Sequence, residues 1–179
     1  HLADEAPSGL WYGESDMESG KRTASEFGAL HAFFPAVLAL GGDVKRARRL
    51  EDSAFLMWTL KGIEPEVLDY RKMEIDKYPG YPLRPEIIES AYYLRHYTHD
   101  DRYLAMGKTF FDSLVAHCRT DAGYTTLKSV VTMEKGDLMP SYFLAETLKY
   151  RYLLFTPSSA LDFDKVVFNT EAHPLRRTW

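Results

Sequence analysis

The chain has 179 residues, of which 45% are hydrophobic and 27% are charged, and this composition excludes disordered and low-complexity proteins. Its net charge of −4 does not suit a surface that binds nucleic-acid phosphates, so we expect no nucleic-acid partner. The longest apolar stretches, such as Ala32–Leu40, are too short to cross a bilayer, so we expect no membrane span. The length suits one modest domain with a substantial core.

Aromatic side chains make up 14% of the chain, and two interpretations of them are open. A well-packed helical core is the simpler interpretation, because these rings bring large apolar areas. The alternative is a wall of rings on which a sugar stacks.

The first 21 residues are rich in Gly, Ser, Asp and Glu, and they are predicted to form a loop or a cut end. The chain begins at His1 with no initiator methionine, so we expect a processed or cut start. A helix is then predicted from Ser25 to the Gly41-Gly42 pair, because its apolar residues recur at spacings of three and four. Those residues are Phe27, Leu30, Phe34, Val37 and Leu38.

Four more helices are predicted further along the chain. Asp43 is predicted to cap the second helix, and Pro85 suits the first turn of the third. The fifth helix, opened by Pro140, is apolar nearly all round and is expected to be buried on most sides. These four helices are predicted to span residues 44–60, 85–97, 100–118 and 140–155.

Between and after the helices, the sequence predicts irregular and extended segments. Residues 66–83 form a long irregular connection, a type of segment that is often functional. Gly123–Val131 and Val166–Phe168 are predicted as short strand or hairpin elements, and residues 176–179 as a tail. Helices in hairpin pairs predict an all-α architecture of the α/α type with short β-hairpins. Five helices are an odd number for a closed ring of hairpins, so we expect part of a larger fold.

The first candidate site is the segment Tyr81–Ser90, in which Glu86 lies in the first turn of the predicted third helix. A carboxylate is favoured there by the free backbone N–H groups and the helix dipole. Glu89 follows three residues later on the same face, and the two like charges need an offsetting cation, either Arg84 or a metal ion. The alternative is a pair of ordinary acidic residues in a first turn.

Two later segments carry further candidate groups. Glu146 is a carboxylate in a very apolar helix, so it needs a polar cavity or an ion partner, for which Lys149 is the ordinary candidate. Thr170 offers oxygen atoms that suit a hard cation such as calcium, and Glu171 adds charge, whereas His173 is expected to be structural. The sequence contains no metal-spaced Cys/His cluster, Gly-rich phosphate loop or nucleophile elbow.

Three strings in these segments carry a resemblance to a known family. They are YPLRPEIIESAYYL at Tyr81–Leu94, SYFLAETLKY at Ser141–Tyr150 and FNTEAHPL at Phe168–Leu175, with a weaker likeness in AFFPAVLALGGD at Ala32–Asp43. Through them the chain resembles glycoside hydrolase family 47, the class I α-1,2-mannosidases, and within it the ER degradation-enhancing branch. Ala29 stands where processing members of the family carry a histidine, which favours that branch.

The resemblance implies an (α/α)7 barrel with a bound calcium ion and an inverting hydrolysis of α-1,2-linked mannose. Glu86 matches the general base, which acts on a water molecule. The residues implied to contact the sugar are Arg84, Glu66, Tyr142 and Glu146. The residues implied at the calcium ion are Thr170, Glu171, Glu89 and Glu146.

The chain also departs from the family pattern. Met139-Pro140-Ser141 replaces an acidic residue that many members carry before the serine, so that contact is not expected here. The general acid and a second catalytic aspartate match nothing in this chain. Residues 1–175 are therefore predicted to be the C-terminal part of a catalytic barrel, with an N-terminal fragment of the same domain as partner.

The implied function is the trimming of high-mannose N-glycans on misfolded glycoproteins in the ER lumen. A calcium-dependent mannose lectin with little turnover is one alternative, and a plain scaffold whose carboxylates are surface charges is another. In the oxidising ER, Cys118 is expected to pair with a cysteine outside this chain, because it is the only cysteine here. The partner would be the N-terminal fragment or a protein disulfide isomerase, and the alternative is a reduced, buried thiol.

Overall fold

Five α-helices form the framework of the computed structural model, which describes residues 1–75 and 77–178. The third helix lies at the centre and packs against each of the other four. Short connections join the first helix to the second and the third to the fourth, so these pairs form helical hairpins. The helices are α1 (Phe34–Leu40), α2 (Val44–Thr59), α3 (Glu86–Thr98), α4 (Arg102–Cys118) and α5 (Leu148–Phe155). Within the described ranges, none of them is long and apolar enough to span a membrane.

Pairs of short antiparallel strands accompany the helices, and in the described residues they do not join into a closed sheet. The segment predicted as a strand or hairpin at residues 123–131 contains one strand from each of two different pairs, and the extended segment predicted at 166–168 is a strand of a third pair. The pairs are β1 (Ala3–Ala6) with β2 (Gly9–Tyr12), β3 (Glu14–Ser15) with β4 (Arg22–Ala24), β5 (Glu26–Gly28) with β6 (Val67–Asp69), β7 (Arg119–Thr120) with β8 (Gly123–Tyr124), β9 (Leu127–Ser129) with β10 (Glu134–Lys135), and β11 (Val166–Phe168) with β12 (Pro174–Arg176).

The N-terminal segment differs from its prediction. Strands β1 and β2 form a hairpin that turns through Gly9, whose φ of 134° favours glycine. Leu10 and Trp11 of β2 are buried, and Trp11 stacks on Tyr70 with 5.3 Å between ring centroids. The prediction of a loop over residues 1–21 is therefore wrong, because the polar composition of the segment conceals two residues that anchor it to the core.

The first helix begins later than predicted. Strand β5 pairs with β6, and residues 29–33 form a 3-10 turn, so α1 begins only at Phe34. Leu30 and Val37 are about half exposed and do not belong to the core. The predicted start at Ser25 is wrong because strand pairing with a distant segment overrides the local helical periodicity.

The helix ends that depend on local chemistry agree with the sequence. Helix α1 ends at Leu40, directly before Gly41, and the Asp43 carboxylate accepts the backbone N–H of Arg46 at 3.2 Å, so α2 begins as predicted. Pro85 precedes the first residue of α3, as expected for a residue that lacks an N–H. Pro85 therefore marks where α3 starts, which matters because the candidate site lies there.

The last long helix has two features that its composition did not predict. A π-helical turn, Phe143–Thr147, runs directly into α5. Leu144, Tyr152 and Phe155 are each more than half exposed, so the prediction of burial on most sides is wrong. The helices that it packs against are α3 and α4, and an apolar composition does not reveal which faces have neighbours.

The C-terminal segment is also more ordered than predicted. Strand β12 pairs with β11, so the predicted tail starts one residue later than residue 176. The Arg177 N–H continues the contact by donating to the Lys165 carbonyl at 2.9 Å. Trp179 lies outside the described residues. The prediction missed this strand because its three residues are all exposed and show no alternation.

Most of the large aromatic side chains lie in the core. Trp58 lies against Tyr81 and Phe110, with ring centroids 5.6 and 4.6 Å away, and all three residues are fully buried. This packing favours the core interpretation of the aromatic content. It leaves a few partly exposed rings, among them Tyr142, for contact with a ligand.

Candidate active site

The candidate catalytic carboxylates lie at the start of α3. Glu86 and Glu89 occupy its first turn and lie on one face, as their spacing predicted. Both side chains are largely withdrawn from water, and this burial raises the pKa of each to about 7. The Tyr150 hydroxyl donates a hydrogen bond to Glu89 at 2.9 Å, so α5 holds one of the two carboxylates in place.

Three of the residues predicted to contact sugar come together beside Glu86. The Arg84 guanidinium makes a two-point ion pair with Glu66, with Nε 3.1 Å from Oε2. The same guanidinium lies over the Tyr142 ring, 5.8 Å from its centroid. Arg84 also lowers the pKa of Glu86 through its charge, but its hydrogen-bonded counter-ion is Glu66. Arg84 alone therefore does not provide the cation that the paired carboxylates of α3 were predicted to need.

The backbone that carries Arg84 makes an unusual turn. Leu83 is fully buried and has a φ of 66°, in the left-handed region that disfavours residues with a Cβ. The Tyr142 hydroxyl donates to the Pro82 carbonyl at 2.7 Å, and the Thr147 hydroxyl donates to the Leu83 carbonyl at 2.7 Å. Side chains from the segment around the π-helical turn therefore hold the entry to α3.

The third candidate segment meets the second through hydrogen bonds. The Glu171 N–H donates to the Glu146 carboxylate at 2.9 Å, and the Ser141 hydroxyl donates to the Glu171 carboxylate at 2.8 Å. Lys149 donates to the carbonyls of Glu171 and Ala172, so it fastens this turn and is not a simple ion partner of Glu146. Glu171 and Ala172 both have positive φ, which gives the turn its tight form.

The electrostatics of the site favour a cation. Burial raises the pKa of Glu146, and the negative charges of Glu86, Glu89 and Glu146 act on one another, which adds to the increase for Glu86 and Glu89. These three carboxylates are partly buried and mutually coupled. Their partial burial and mutual coupling disfavour the scaffold alternative, in which they are separate surface charges.

The donor atoms of the site fit a calcium ion that takes many of its ligands from water. Thr170 is exposed, and the ring of His173 approaches its carbonyl oxygen to 3.3 Å, a contact within the turn. In the described ranges, no group of three or more His, Cys, Asp and Glu side chains is arranged to hold a metal ion by itself. One oxygen of Glu86 is buried and has no partner among the described residues, so a polar group is missing beside it. Hard oxygen donors with excess negative charge suit calcium.

Sequence reasoning missed one acidic residue next to the site. Glu64 is 1% exposed, and neither of its carboxylate oxygens has a partner among the described residues. Burial raises its pKa well above the usual value, and the charges of Glu86 and Glu66 raise it further. The available signal was its position between two apolar residues, Ile63 and Pro65, which indicates a buried segment.

The structure places Cys118 at the end of α4, fully buried and without a disulfide. Burial raises the pKa of its thiol to about 12, so the reactive thiolate is scarce. The disulfide to a cysteine outside this chain stays a prediction, and the reduced, buried thiol stays its alternative.

A cavity of about 940 Å³ lies away from the carboxylates, at the opposite ends of α3 and α5. Its lining includes Tyr92, His96, Leu153 and Phe163 and none of the predicted site residues. The candidate site therefore lies outside this cavity, at the starts of α3 and of the π-helical turn.

Comparison with known proteins agrees with the geometry. A profile of the family described as Glycosyl hydrolase family 47 matches residues 1–177, which is nearly the whole chain. The chain belongs to glycosyl hydrolase family 47. The family predicted from the three motif strings is thus confirmed, and the chain contributes part of the catalytic domain of that family.

Similar proteins include plant and animal members. Alpha-mannosidase I MNS5 from Arabidopsis thaliana is 39% identical over 171 residues, which are 94% of this chain and 29% of the relative. ER degradation-enhancing alpha-mannosidase-like protein 2 from Homo sapiens is 34% identical over 185 residues, covering 92% of this chain and 32% of the relative. The chain therefore spans about a third of the length of these curated relatives.

A solved structure confirms the predicted fold class. The alpha-1,2-mannosidase from Trichoderma reesei superposes with a TM-score of 0.83 and 26% sequence identity. The match covers 98% of this chain and 44% of that chain. The helical hairpins described above are thus part of an α/α barrel, accompanied by short β-hairpins.

Proposed function

We propose that residues 1–175 form the C-terminal part of the catalytic barrel of a calcium-dependent, inverting α-1,2-mannosidase. Its substrates are high-mannose N-glycans on misfolded glycoproteins in the ER lumen. An N-terminal fragment of the same domain completes the barrel and supplies the general acid. Relatives named as alpha-mannosidase I and as ER degradation-enhancing alpha-mannosidase-like protein support the substrate class and the compartment.

The observation that carries this proposal is the convergence of three motif segments on one group of carboxylates. Glu86 and Glu89 come from α3, Glu146 from the π-helical turn, and Glu171 from the turn before β12. Hydrogen bonds and mutual charge effects join these residues, although up to 85 positions separate them in the sequence. A scaffold needs no such convergence, whereas glycoside hydrolysis needs positioned carboxyl groups.

Glu86 acts as the general base in this proposal. Its pKa of about 7 leaves a substantial fraction ionised near neutral pH, so it can accept a proton from the attacking water. The water oxygen bonds to the anomeric carbon as the glycosidic bond breaks, and the leaving oxygen takes a proton from the general acid. The proton of the water passes to the carboxylate of Glu86.

The neighbouring residues hold the sugar and the ion. Glu66 and the Tyr142 ring fix the Arg84 guanidinium, whose free N–H groups can donate to sugar hydroxyls. Thr170 would hold calcium directly, and nearby carboxylates such as Glu146 would hold its water molecules. Bound calcium supplies the positive charge that offsets the carboxylates and orients sugar hydroxyls.

The test is mannose release from α-1,2-linked mannobiose by the complete enzyme and by its Glu86→Gln variant. We expect the variant to lose about 10²–10⁴-fold in kcat while its glycan Kd is unchanged, because the isosteric amide cannot accept the proton. The parental kcat/KM should fall about tenfold per pH unit below pH 7, as the base becomes protonated. Glu134→Gln, the same change at an exposed glutamate in a hairpin, is the matched control.

Two outcomes would contradict the proposal. Parental turnover in the Glu86→Gln variant would remove the base assignment. A complete protein that binds the glycan with calcium but releases no mannose would instead support the lectin alternative.

A further inference from the structure

The turn that leads into α3 is strained, and the strain lies just before the two residues that the proposed reaction needs most. Leu83 has a φ of 66°, although it is neither glycine nor asparagine. It precedes Arg84 directly and lies three residues before Glu86. A residue in this conformation persists only where its surroundings determine it, and such residues cluster at functional sites.

Three consecutive carbonyl groups of this turn each accept a hydrogen bond from a side-chain hydroxyl. Tyr142 donates to the Pro82 carbonyl at 2.7 Å, Thr147 to the Leu83 carbonyl at 2.7 Å, and Tyr81 to the Arg84 carbonyl at 3.3 Å. The bond to the strained residue itself is the one made by Thr147. It is also the one most shielded from water, because Thr147 and Leu83 are both fully buried.

Thr147 is the last residue of the π-helical turn that precedes α5. The residue before it, Glu146, accepts the N–H of Glu171, which directly follows the proposed calcium ligand Thr170. One helical turn therefore contacts both the entry to α3 and the turn that carries Thr170. Single π-helical turns inside α-helices are frequent at functional sites, where they redirect adjacent side chains.

We propose that Thr147 is a positioning residue, whose hydroxyl holds the Leu83 carbonyl and thereby fixes the directions of Arg84 and Glu86. The inference rests on the proposed function, because it concerns the same site. Thr147 touches neither substrate nor the reacting atoms in this proposal. It acts through the backbone, since a rotation at Leu83 would swing both following side chains away from their partners.

The decisive pair of variants in the complete enzyme is Thr147→Val and Thr147→Ser. Valine has the same shape but lacks the hydroxyl, so the Leu83 carbonyl loses its donor, whereas serine keeps the hydroxyl and loses a methyl group. We expect Thr147→Val to lower kcat by about 10- to 100-fold with a smaller change in KM, the range for a misplacement near 1 Å. Thr147→Ser should stay within about threefold of the parental enzyme. Thr109→Val, which removes a hydroxyl bonded to a helix carbonyl on α4, should leave kcat unchanged.

A double variant distinguishes positioning from general structural support. If Thr147 acts through Glu86, adding Thr147→Val to the Glu86→Gln variant should lower kcat little further, because the base is already absent. If Thr147→Val lowered kcat by the same factor in the Glu86→Gln variant as in the parental enzyme, the inference would be overturned. Full activity of Thr147→Val would overturn it too, and so would a Thr147→Ser variant as impaired as Thr147→Val, because the methyl group would then be what matters.

Two further measurements keep the test independent of folding and of the proposed function. If Thr147→Val does not fold, Tyr81→Phe is the substitute variant, because it removes the hydroxyl that reaches the Arg84 carbonyl. It should lower kcat several-fold, and parental turnover would then contradict the inference.

If the parental protein releases no mannose, the proposed hydrolysis fails, and hydrogen exchange decides the positioning role. The amides of Ile88 and Glu89, bonded to the Pro85 carbonyl, should then exchange faster in Thr147→Val than in Thr147→Ser. Equal exchange would overturn the inference.

Discussion

Replacing the buried Glu64 by glutamine should stabilise the protein, and only above acid pH. The side chain is 1% exposed, and neither carboxylate oxygen has a partner among the described residues. Burial, followed by the charges of Glu86 and Glu66, raises the pKa of this carboxyl well above its usual value of 4.5. Between pH 4.5 and the folded pKa, the folded protein therefore keeps a proton on Glu64 that the unfolded chain releases.

The size of the effect follows from that proton. Below pH 4.5 the carboxyl is protonated in both the folded and the unfolded state, so its ionisation does not change the free energy of unfolding. As the pH rises from 4.5 toward the folded pKa, stability is lost at about 1.4 kcal/mol per pH unit. This loss accumulates over the whole interval between the unfolded and the folded pKa and stays constant at higher pH. Glutamine has nearly the same shape and cannot titrate, so Glu64→Gln should recover this loss.

The assay is denaturant unfolding of the complete protein and of Glu64→Gln at pH 4.5, 5.5, 6.5 and 7.5 with calcium held constant. The two stability curves should meet near pH 4.5 and diverge steadily above it. Glu18→Gln, the same change at an exposed glutamate, should stay within about 0.5 kcal/mol of the parental protein at every pH. Parallel curves for Glu64→Gln and the parental protein would refute the reasoning, since Glu64 would then titrate like an exposed carboxyl.

Further predictions concern the ion and the thiol. Excess chelator should abolish mannose release and lower the Tm, because calcium binds only the folded state. The free energy of unfolding should fall by about 3 kcal/mol if the ion was present at 100 times its Kd. Unchanged activity and Tm would exclude a bound calcium ion. Glu146→Gln should weaken calcium retention in equilibrium dialysis without unfolding the protein, whereas a parental calcium Kd would remove Glu146 from the ion site. Cys118 is predicted to be disulfide-bonded to a cysteine outside the chain, so a non-reducing gel should show a crosslinked species that reductant releases. Alkylation of Cys118 after denaturation without reductant would instead establish the reduced thiol.

Local chemistry made part of this fold predictable. The Asp43 cap, the Gly41 stop and the placement of Pro85 before α3 depend on neighbours within four residues, so the sequence contains the necessary information. The shared face of Glu86 and Glu89 follows from helix periodicity in the same way.

Features that depend on distant partners were not predictable. The β1–β2 hairpin is anchored when Trp11 stacks on Tyr70, which lies 59 positions away in the sequence. Strand β5 forms because β6 pairs with it, against a helical pattern in its own segment. The exposed face of α5 depends on which helices lie next to it, and the burial of Glu64 depends on the packing around it. The motif strings pointed to the candidate site because a family resemblance carries long-range information that periodicity lacks.

The hydrogen bonds that assemble the site also constrain how the molecule folds. Tyr142 and Pro82, Tyr150 and Glu89, and Thr147 and Leu83 are separated by 60, 61 and 64 positions. Contacts over such separations require closure of long loops, so they form slowly and after the local helices. During synthesis the carboxylate group stays incomplete until residue 171 has been added and the π-helical turn has docked on α3. The carboxylate group is therefore assembled late in the folding of these residues, and a chain arrested earlier would hold helices without that group.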